Sequence, residues 1–240
     1  MNGVGVVAAL EVEARTLGPA VRRQGGISSL AGGALLAVSG VGSVAAARAA
    51  RSLVDAGAAG LMSFGMAGGL DPRLAAGNIL LPAEVISRDG ARFLTAPPWR
   101  EQLYQAIAGQ LPVAAGALLT SAQPIGGAAD KTAAFRETGA VAVDMESLAI
   151  ATVAAAHGLP FVAVRAIVDT ATDVLPRAVL TASRGGPLRV GRLVAGLAWA
   201  PWELAALIRL TRRYRAAIRS LAAVARAGVL TPCAPGVRVA

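Results

Sequence analysis

The sequence predicts an α/β fold, in which a layered domain with a largely parallel sheet precedes a basic helical extension. Short apolar runs bounded by Gly, Pro or charged residues have the form of strands buried on both faces. Helical patterns lie between most of these runs, as expected of a layered α/β domain. The chain has 240 residues and is 55% hydrophobic, which is enough apolar surface for a sizeable core and excludes a disordered chain.

The predicted strands and helices follow one another along the first two thirds of the chain. Strands are predicted at residues 3–10, 34–40, 60–69, 78–86, 114–121, 140–145 and 160–169, and helices at about 43–57, 99–109, 130–138 and 145–157. Ser43 is the predicted N-cap of the first helix. The last of these helices ends with Gly158 at its C′ position and Pro160 just beyond.

The charge of the chain is concentrated in its tail. Residues 1–176 contain 12 Lys and Arg against 13 Asp and Glu, whereas residues 177–240 contain 11 Arg and a single acid, Glu203. A basic segment of this kind fits either nucleic acid or an anionic membrane surface. Nucleic-acid binding is disfavoured, because only Tyr214 lies among the tail arginines and base stacking normally uses several aromatic residues.

The tail is helical in period, but its apolar stretch is too short to cross a bilayer. Pro201 and Glu203 interrupt it after about a dozen residues, where a span needs about 20. Because Trp199 and Trp202 adjoin the arginines, we expect a helix that lies in the membrane interface. The alternative is a helix that packs its Leu and Ala face on the domain. The arginines concerned are Arg209, Arg212, Arg213, Arg215 and Arg219.

The N-terminus and the cysteine usage predict a cytoplasmic protein. The first residues lack a positively charged region, and acidic residues follow the apolar run almost at once, so no signal peptide is predicted. Cys233 is the single cysteine of the sequence, which excludes an internal disulfide.

Acidic side chains follow three of the predicted strands. Glu11 and Glu13 come after the first strand, Glu146 after the strand at 140–145, and Asp169 after the strand at 160–169. Since α/β folds bind ligands at the carboxyl ends of their strands, these acids predict an acid/base site. The purely structural interpretation of Glu146 is a cap on the amides of the following helix. No metal site is predicted, because His157 is the lone histidine and lies at a helix end.

Five segments taken together resemble the nucleoside phosphorylase and methylthioadenosine/S-adenosylhomocysteine nucleosidase superfamily over about residues 3–170. They are "VVAALEVEA", "SGVGSVAAARAA", "SFGMAGGLDPRLAAGNILLP", "AVDMESLAIATVA" and "PFVAVRAIVD". The following stretch, "DTATDVLPRAVLTASRGGPLRVGRLVAGLAWAPWE", is similar to the hopanoid-associated phosphorylase branch, which removes adenine from adenosylhopane. The resemblance implies a three-layer sandwich around a twisted, mixed sheet, with a catalytic domain at residues 1–186, an extension at 187–240, and a homodimer.

The resemblance also implies a role for each of three acids. Glu146 is expected to bind the ribose 2′- and 3′-hydroxyls, with Met145 packed beneath the sugar. Asp169 is expected to protonate N7 of the departing adenine, which requires burial to raise its pKa. Glu13 aligns with the glutamate that orients the attacking water in the nucleosidases, whereas Glu11 is expected at the surface.

The remaining substrate contacts come from the turn after the third strand, from the base pocket and from an apolar channel for the hopane. The nucleosidases have a serine where this chain has Met66 and an aromatic residue where it has Ile125, so adenine is expected to lie between aliphatic side chains. That arrangement loses about 1 kcal/mol of stacking. The expected contacts are Gly65, Met66, Ala67, Ile125, Leu175, Val179 and Leu180.

The attacking group is left open by the resemblance. Glu13 favours water, whereas the branch name favours phosphate as an alternative co-substrate, and no other cofactor is predicted. Phosphorolytic relatives hold phosphate with an arginine where this chain has Ser63, so Arg15, Arg48 or a partner subunit's arginine would have to supply that charge.

The predicted activity is cleavage of the N-glycosidic bond of adenosylhopane at the inner face of the membrane, giving ribosylhopane or phosphoribosylhopane. The alternative is a nucleosidase for a soluble adenosine derivative such as methylthioadenosine or S-adenosylhomocysteine.

Overall fold

The computed structural model describes residues 3–22, 24–174 and 204–228. The strands are β1 (Val4–Ala8), β2 (Ala20–Arg22), β3 (Ile27–Leu30), β4 (Leu35–Val38), β5 (Gly60–Gly69), β6 (Ile79–Leu80), β7 (Glu84–Ile86), β8 (Arg92–Leu94), β9 (Val113–Ala114), β10 (Ala117–Thr120), β11 (Ala142–Asp144) and β12 (Phe161–Asp169). The α-helices are α1 (Glu11–Thr16), α2 (Ser43–Asp55), α3 (Pro97–Ile107), α4 (Ala128–Thr138), α5 (Ser147–Ala156) and α6 (Leu204–Arg226).

The strands form one mixed, largely parallel sheet in the order β2-β3-β4-β1-β5-β11-β10-β7-β8, with β12 pairing with β5 and β6. The ten-residue strand β5 organises this sheet, because it is long enough to pair with three others. It runs parallel to β1 and β12, and its last two residues pair with the antiparallel strand β11. The C-terminal ends of β1, β5, β11 and β12 are therefore brought to one region of the sheet.

Helices cover both faces of the sheet, which confirms the predicted layered α/β fold. On one face, α2 and α5 pack against each other and enclose an apolar cluster that includes Leu53, Leu61 and Ile150. On the other face, α1, α3 and α6 enclose a cluster that includes Met62 and Leu221. The neighbours Leu61 and Met62 of β5 belong to opposite clusters, as the two-residue period of a doubly buried strand requires.

The predicted elements are found, but several of their boundaries differ. The apolar run at 78–86 forms two short strands, β6 and β7, separated by a segment that contains Pro82. The predicted N-cap at Ser43 is wrong, because Gly42 occupies that position and the Ser43 hydroxyl instead donates to the Met145 carbonyl at 3.1 Å. Helix α1 and strands β2, β3 and β8 were not predicted, since each is short and lacks a sustained period.

Helix α6 packs on the domain with one face and carries basic residues on another. Its Ala217, Leu221 and Val224 are buried in the cluster shared with α1 and α3. A second set of α6 residues, Arg212, Arg215 and Arg219, is exposed. Within the described ranges, no helix is long and apolar enough to cross a membrane. Trp199 and Trp202 lie outside the described residues, and the domain boundary at 186/187 stays a prediction.

Candidate active site

A pocket of about 200 Å³ lies where the C-terminal ends of β1, β5, β11 and β12 meet. Most of the residues expected to contact the substrate line it. They are Glu13, Met66, Ala67, Ile125, Met145, Glu146 and Asp169. The predicted contacts Leu175, Val179 and Leu180 lie outside the described residues. The pocket also has apolar walls from residues not predicted as contacts, namely Ala9, Leu10, Val41, Val143 and Val168.

Glu13 reaches the pocket because α1 begins immediately after β1. Its Oε2 accepts a hydrogen bond from the Leu10 amide at 2.9 Å, and its Oε1 accepts one from the Met66 amide of β5 at 2.8 Å. The side chain is thus fixed between two elements and is almost fully buried. Burial raises the pKa of Glu13, and the positive charge of Arg165 opposes that rise.

Gly65 makes room for the Glu13 side chain and for Arg165. A Cβ added at Gly65 would lie 2.6 Å from both Glu13 Oε1 and the Arg165 guanidinium. Only glycine leaves the space that these two side chains need. Gly65 is not among the residues that line the pocket, so its observed contribution is to admit Glu13 and Arg165.

Glu146 occupies the N-cap position of α5 but does not cap that helix with its side chain. Its carboxylate accepts hydrogen bonds from the Gly42 amide at 2.9 Å and from the Met145 amide at 3.3 Å. Asp144 caps the helix instead, accepting the Ser147 amide at 3.1 Å. The structural interpretation of Glu146 is therefore wrong, and its carboxylate is left to line the pocket.

The electrostatic surroundings of Glu146 are unfavourable to its charge. Burial, together with the nearby carboxylates of Asp144 and Glu13, raises the pKa of Glu146 to about 7, while Arg165 acts in the opposite direction. A carboxyl group with this pKa exchanges its proton close to neutral pH. Such perturbed groups in a cleft are typical of functional sites.

Arg165 balances the acids of this region and was missed in the sequence analysis. It is buried in the middle of β12, forms an ion pair with Asp144 at 2.6 Å, and donates to the hydroxyls of Ser63 at 2.6 Å and Ser147 at 3.0 Å. A cation within an apolar strand costs free energy unless it is paired. The sequence "FVAVRAIVD" already indicated such a pair, because an arginine inside an apolar strand is buried and needs a buried acid as its partner.

Asp169 ends β12 and also lines the pocket, and a second missed residue pairs with it. The carboxylate forms an ion pair with Lys131 of α4, whose side chain is fully buried. Lys131 Nζ also donates to the Thr170 carbonyl at 2.8 Å. Burial raises the pKa of Asp169, and the charges of Lys131 and Arg213 oppose that rise. The net effect is a raised pKa, which favours the protonated form that a proton donor needs.

The positions considered for binding phosphate do not converge on the pocket. Ser63 is fully buried and does not line the pocket, and its hydroxyl is hydrogen-bonded to Ser147 and Arg165. Arg15 and Arg48 are exposed, and neither lines the pocket. Within residues 3–22, 24–174 and 204–228, no group of three or more His, Cys, Asp or Glu side chains could hold a metal ion.

Residues 23–184 match the family model of the phosphorylase superfamily. The chain belongs to this superfamily. The protein is therefore an N-ribosyl-cleaving enzyme of the nucleosidase or nucleoside phosphorylase type. No protein with a curated description matches it significantly.

Solved structures share the superfamily fold over nearly the whole chain. The 5′-methylthioadenosine/S-adenosylhomocysteine nucleosidase of Neisseria meningitidis, in complex with methylthio-immucillin-A, is 23% identical, with a TM-score of 0.71 over 95% of this chain and 98% of that one. The futalosine hydrolase of Helicobacter pylori is 15% identical, with a TM-score of 0.69 over 94% and 97%. At these identities the likeness establishes the fold.

The raised pKa of Glu146 predicts a pH-dependent loss of stability that Glu146→Gln removes. Between pH 4.5 and 7, the folded state retains a proton that the unfolded state has released, so the free energy of unfolding falls as pH rises through this window. Glutamine does not titrate. We therefore compare the free energy of unfolding of Glu146→Gln with that of wild type by urea unfolding. This difference should shift in favour of the variant by up to about 3 kcal/mol as the pH is raised from 4.5 to 8.

Glu11→Gln is the matched control for this measurement, because it removes an exposed carboxylate from the same region of the chain. It should follow the wild-type stability curve. A Glu146→Gln variant that is equally displaced from wild type at pH 5 and pH 8 would contradict the assigned environment of Glu146.

Proposed function

We propose that this enzyme hydrolyses the N-glycosidic bond of adenosylhopane and releases adenine and ribosylhopane. The observation that carries the proposal is the convergence of Glu13, Glu146 and Asp169 on one pocket from three strand ends. All three are buried, and the pKa of each is raised. This arrangement supplies a base, a group that stabilises a cation, and an acid within one cleft.

Glu146 would stabilise the sugar during bond cleavage. Breaking a C–N glycosidic bond builds positive charge on the ribose, as in the oxocarbenium-like states of sugar hydrolysis. A buried carboxylate held by the Gly42 and Met145 amides is fixed before the reaction, so it loses little energy in reorganisation. Its anionic form would bind the ribose hydroxyls and offset the developing charge.

Asp169 would act as the general acid. As the bond between C1′ and N9 breaks, its electron pair moves into the purine ring, and Asp169 gives its proton to N7. Adenine then leaves as a neutral molecule instead of an anion. Burial favours the protonated carboxyl group, which is the form that this step requires.

Glu13 would activate the water that replaces adenine. The water oxygen forms the new bond to C1′, and its proton passes to Glu13. Water is favoured over phosphate because Ser63 stands where phosphorolytic relatives have an arginine, and Ser63, Arg15 and Arg48 do not line the pocket. A carboxylate at the point of attack also repels the phosphate anion, whereas it accepts a hydrogen bond from neutral water.

An apolar 5′ substituent is supported by the surroundings of the pocket. Val41 lines the pocket and is exposed. Val44, three residues later in the first turn of α2, is exposed as well but is not among the lining residues. Val174, five residues after Asp169, is exposed as well. The likeness of the following segment to the hopanoid-associated branch supports the same substrate. The second candidate, a soluble adenosine derivative, is supported by the fold shared with nucleosidases of that specificity.

Contact with an anionic membrane is proposed through the exposed arginines of α6. Arg212, Arg215 and Arg219 recur at helical spacing and are exposed, while the opposite residues of the helix pack in the core. Basic residues near anionic headgroups contribute about 1 kcal/mol each. The membrane-peripheral location and the homodimer are part of the proposal.

Removing the proposed acid or base should slow catalysis strongly. We expect Asp169→Asn and Glu13→Gln to lower the rate of adenine release by about 10²- to 10⁴-fold, because each loses one proton transfer. Release is followed by chromatography on purified protein. Glu11→Gln should retain the wild-type rate, and equal activity in Asp169→Asn would overturn the assignment of the general acid.

The substrate and the attacking group can be decided in one assay. Detergent-dispersed adenosylhopane and soluble methylthioadenosine are each incubated with and without phosphate, and the mass of the ribosyl product is measured. We expect phosphate-independent release from the lipid, giving ribosylhopane. A phosphoribosyl product would replace hydrolysis by phosphorolysis, and turnover of methylthioadenosine alone would establish the second candidate.

The membrane proposal is tested with vesicles of anionic or neutral phospholipid. Replacing Arg212, Arg215 and Arg219 by Gln should abolish sedimentation with anionic vesicles, because the electrostatic attraction is lost. The charge-matched control replaces Arg48, Arg51 and Arg136, which are exposed on other helices, and should sediment as wild type does. Equal sedimentation of the two triple variants would contradict a specific role for α6.

A further inference from the structure

Lys131 is a fully buried lysine that the reaction described above leaves without a function. It lies in α4, and its Nζ forms an ion pair with Asp169 Oδ2 and donates to the Thr170 carbonyl at 2.8 Å. Burying an ammonium group costs several kcal/mol unless it is paired and hydrogen-bonded. The paired acid is the very group proposed to protonate the base.

Two cations act on Asp169 from different helices, and they are not equivalent. Lys131 is in direct contact and is inaccessible to solvent. Arg213 of α6 forms its own ion pair with Asp173 and is partly exposed, so Asp173 and water screen its charge. The carboxyl groups of Glu13 and Glu146 also line the pocket that Asp169 faces. Lys131 is therefore the dominant positive charge on Asp169.

The contact with Lys131 also restricts the orientation of the acid. Since Oδ2 is held by the ammonium group, Oδ1 is the oxygen left to meet a base bound in the pocket. The Thr170 carbonyl holds Nζ from a second direction. Because Lys131 Nζ is held by Asp169 and by the Thr170 carbonyl in a closely packed interior, it has little freedom to move. The Asp169 carboxyl group that it contacts is therefore restricted as well.

We propose that Lys131 is the positioning residue of the general acid: it holds Asp169 Oδ2, presents Oδ1 to the departing base, and stabilises the carboxylate that proton transfer leaves behind. This inference rests on the proposed function, because it concerns the same acid. When the glycosidic bond breaks, the Asp169 proton moves to the purine, and the new negative charge forms in contact with the ammonium group. Solvent returns the proton before the next turnover.

The test compares the pH dependence of kcat/KM for adenine release in three variants. Protonated Asp169 is the active form, so the rate falls as pH rises above its pKa. Lys131→Gln removes the charge but keeps a donor, and the alkaline limb should move to higher pH by about 1 to 3 pH units. Lys131→Met also removes the hydrogen-bond donor, so Asp169 is no longer held in position. We expect kcat to fall at least about tenfold, which is part of the rate enhancement that a positioned general acid supplies. Lys131→Arg should restore the wild-type limb.

Arg136→Gln is the matched control, because it removes an exposed cation from the same helix. Its pH profile should coincide with that of wild type. An active Lys131→Gln variant whose alkaline limb does not move would overturn the proposal.

A second measurement tests the contact between Lys131 and Asp169 without an activity assay. It therefore applies even if the variants are inactive or if the substrate is not adenosylhopane. Urea unfolding of Lys131→Gln, Asp169→Asn and the double variant is compared at pH 5 and pH 8. We expect Lys131→Gln to lose more stability at pH 8 than at pH 5 only while Asp169 is present, because its carboxylate then lacks a partner. The same loss in the Asp169→Asn background would overturn the proposal. Absence of adenine release by wild type from every nucleoside tested would instead refute the proposed function.

Discussion

The site depends on the burial of acidic groups next to too few cations. Arg165 is paired with Asp144 at 2.6 Å, yet its charge also acts on Glu13 and Glu146. One guanidinium cannot neutralise three buried carboxylates, and burial raises the pKa of two of them, Glu13 and Glu146. The burial lowers the stability of the fold, and it gives Glu146 a pKa of about 7, at which its carboxyl group takes up and releases a proton near neutral pH.

The long strand β5 makes this crowding of charge possible. It pairs with β1, β11 and β12 at once, so the residues after those strands meet at one place. Gly65 of the same strand leaves the space in which Glu13 and Arg165 approach each other. The chemistry and the sheet are thus linked, because the backbone that organises the core also provides the floor of the pocket and the Met66 amide that holds Glu13.

The two sides of the pocket are built differently. Glu13 and Glu146 accept backbone amides and share the field of Arg165, whereas Asp169 has its own cation in Lys131. In the proposed reaction, this separation would let one pair of acids favour an anion beneath the sugar while Asp169 holds a proton for the base. Helix α6 adds Arg213 beside the loop that follows Asp169, so the C-terminal region contributes to the electrostatics of the site as well as to the core.

The sequence by itself determined the layered α/β fold and the acids at strand ends, because buried strands and amphipathic helices leave apolar periods that need no partner to be recognised. The motif resemblance selected Glu13, Glu146 and Asp169, and the fold places them in one pocket. Only the tertiary structure decided that Asp144 caps α5, that Arg165 balances the acids, and that Lys131 contacts Asp169. The Asp144 cap is local, since Ser147 follows three residues later, but it depends on which of two neighbouring acids turns toward the helix. The Lys131 pair joins residues 38 positions apart. The partners of Lys131 and Arg165 are chosen by strand register and helix packing, which local patterns do not encode.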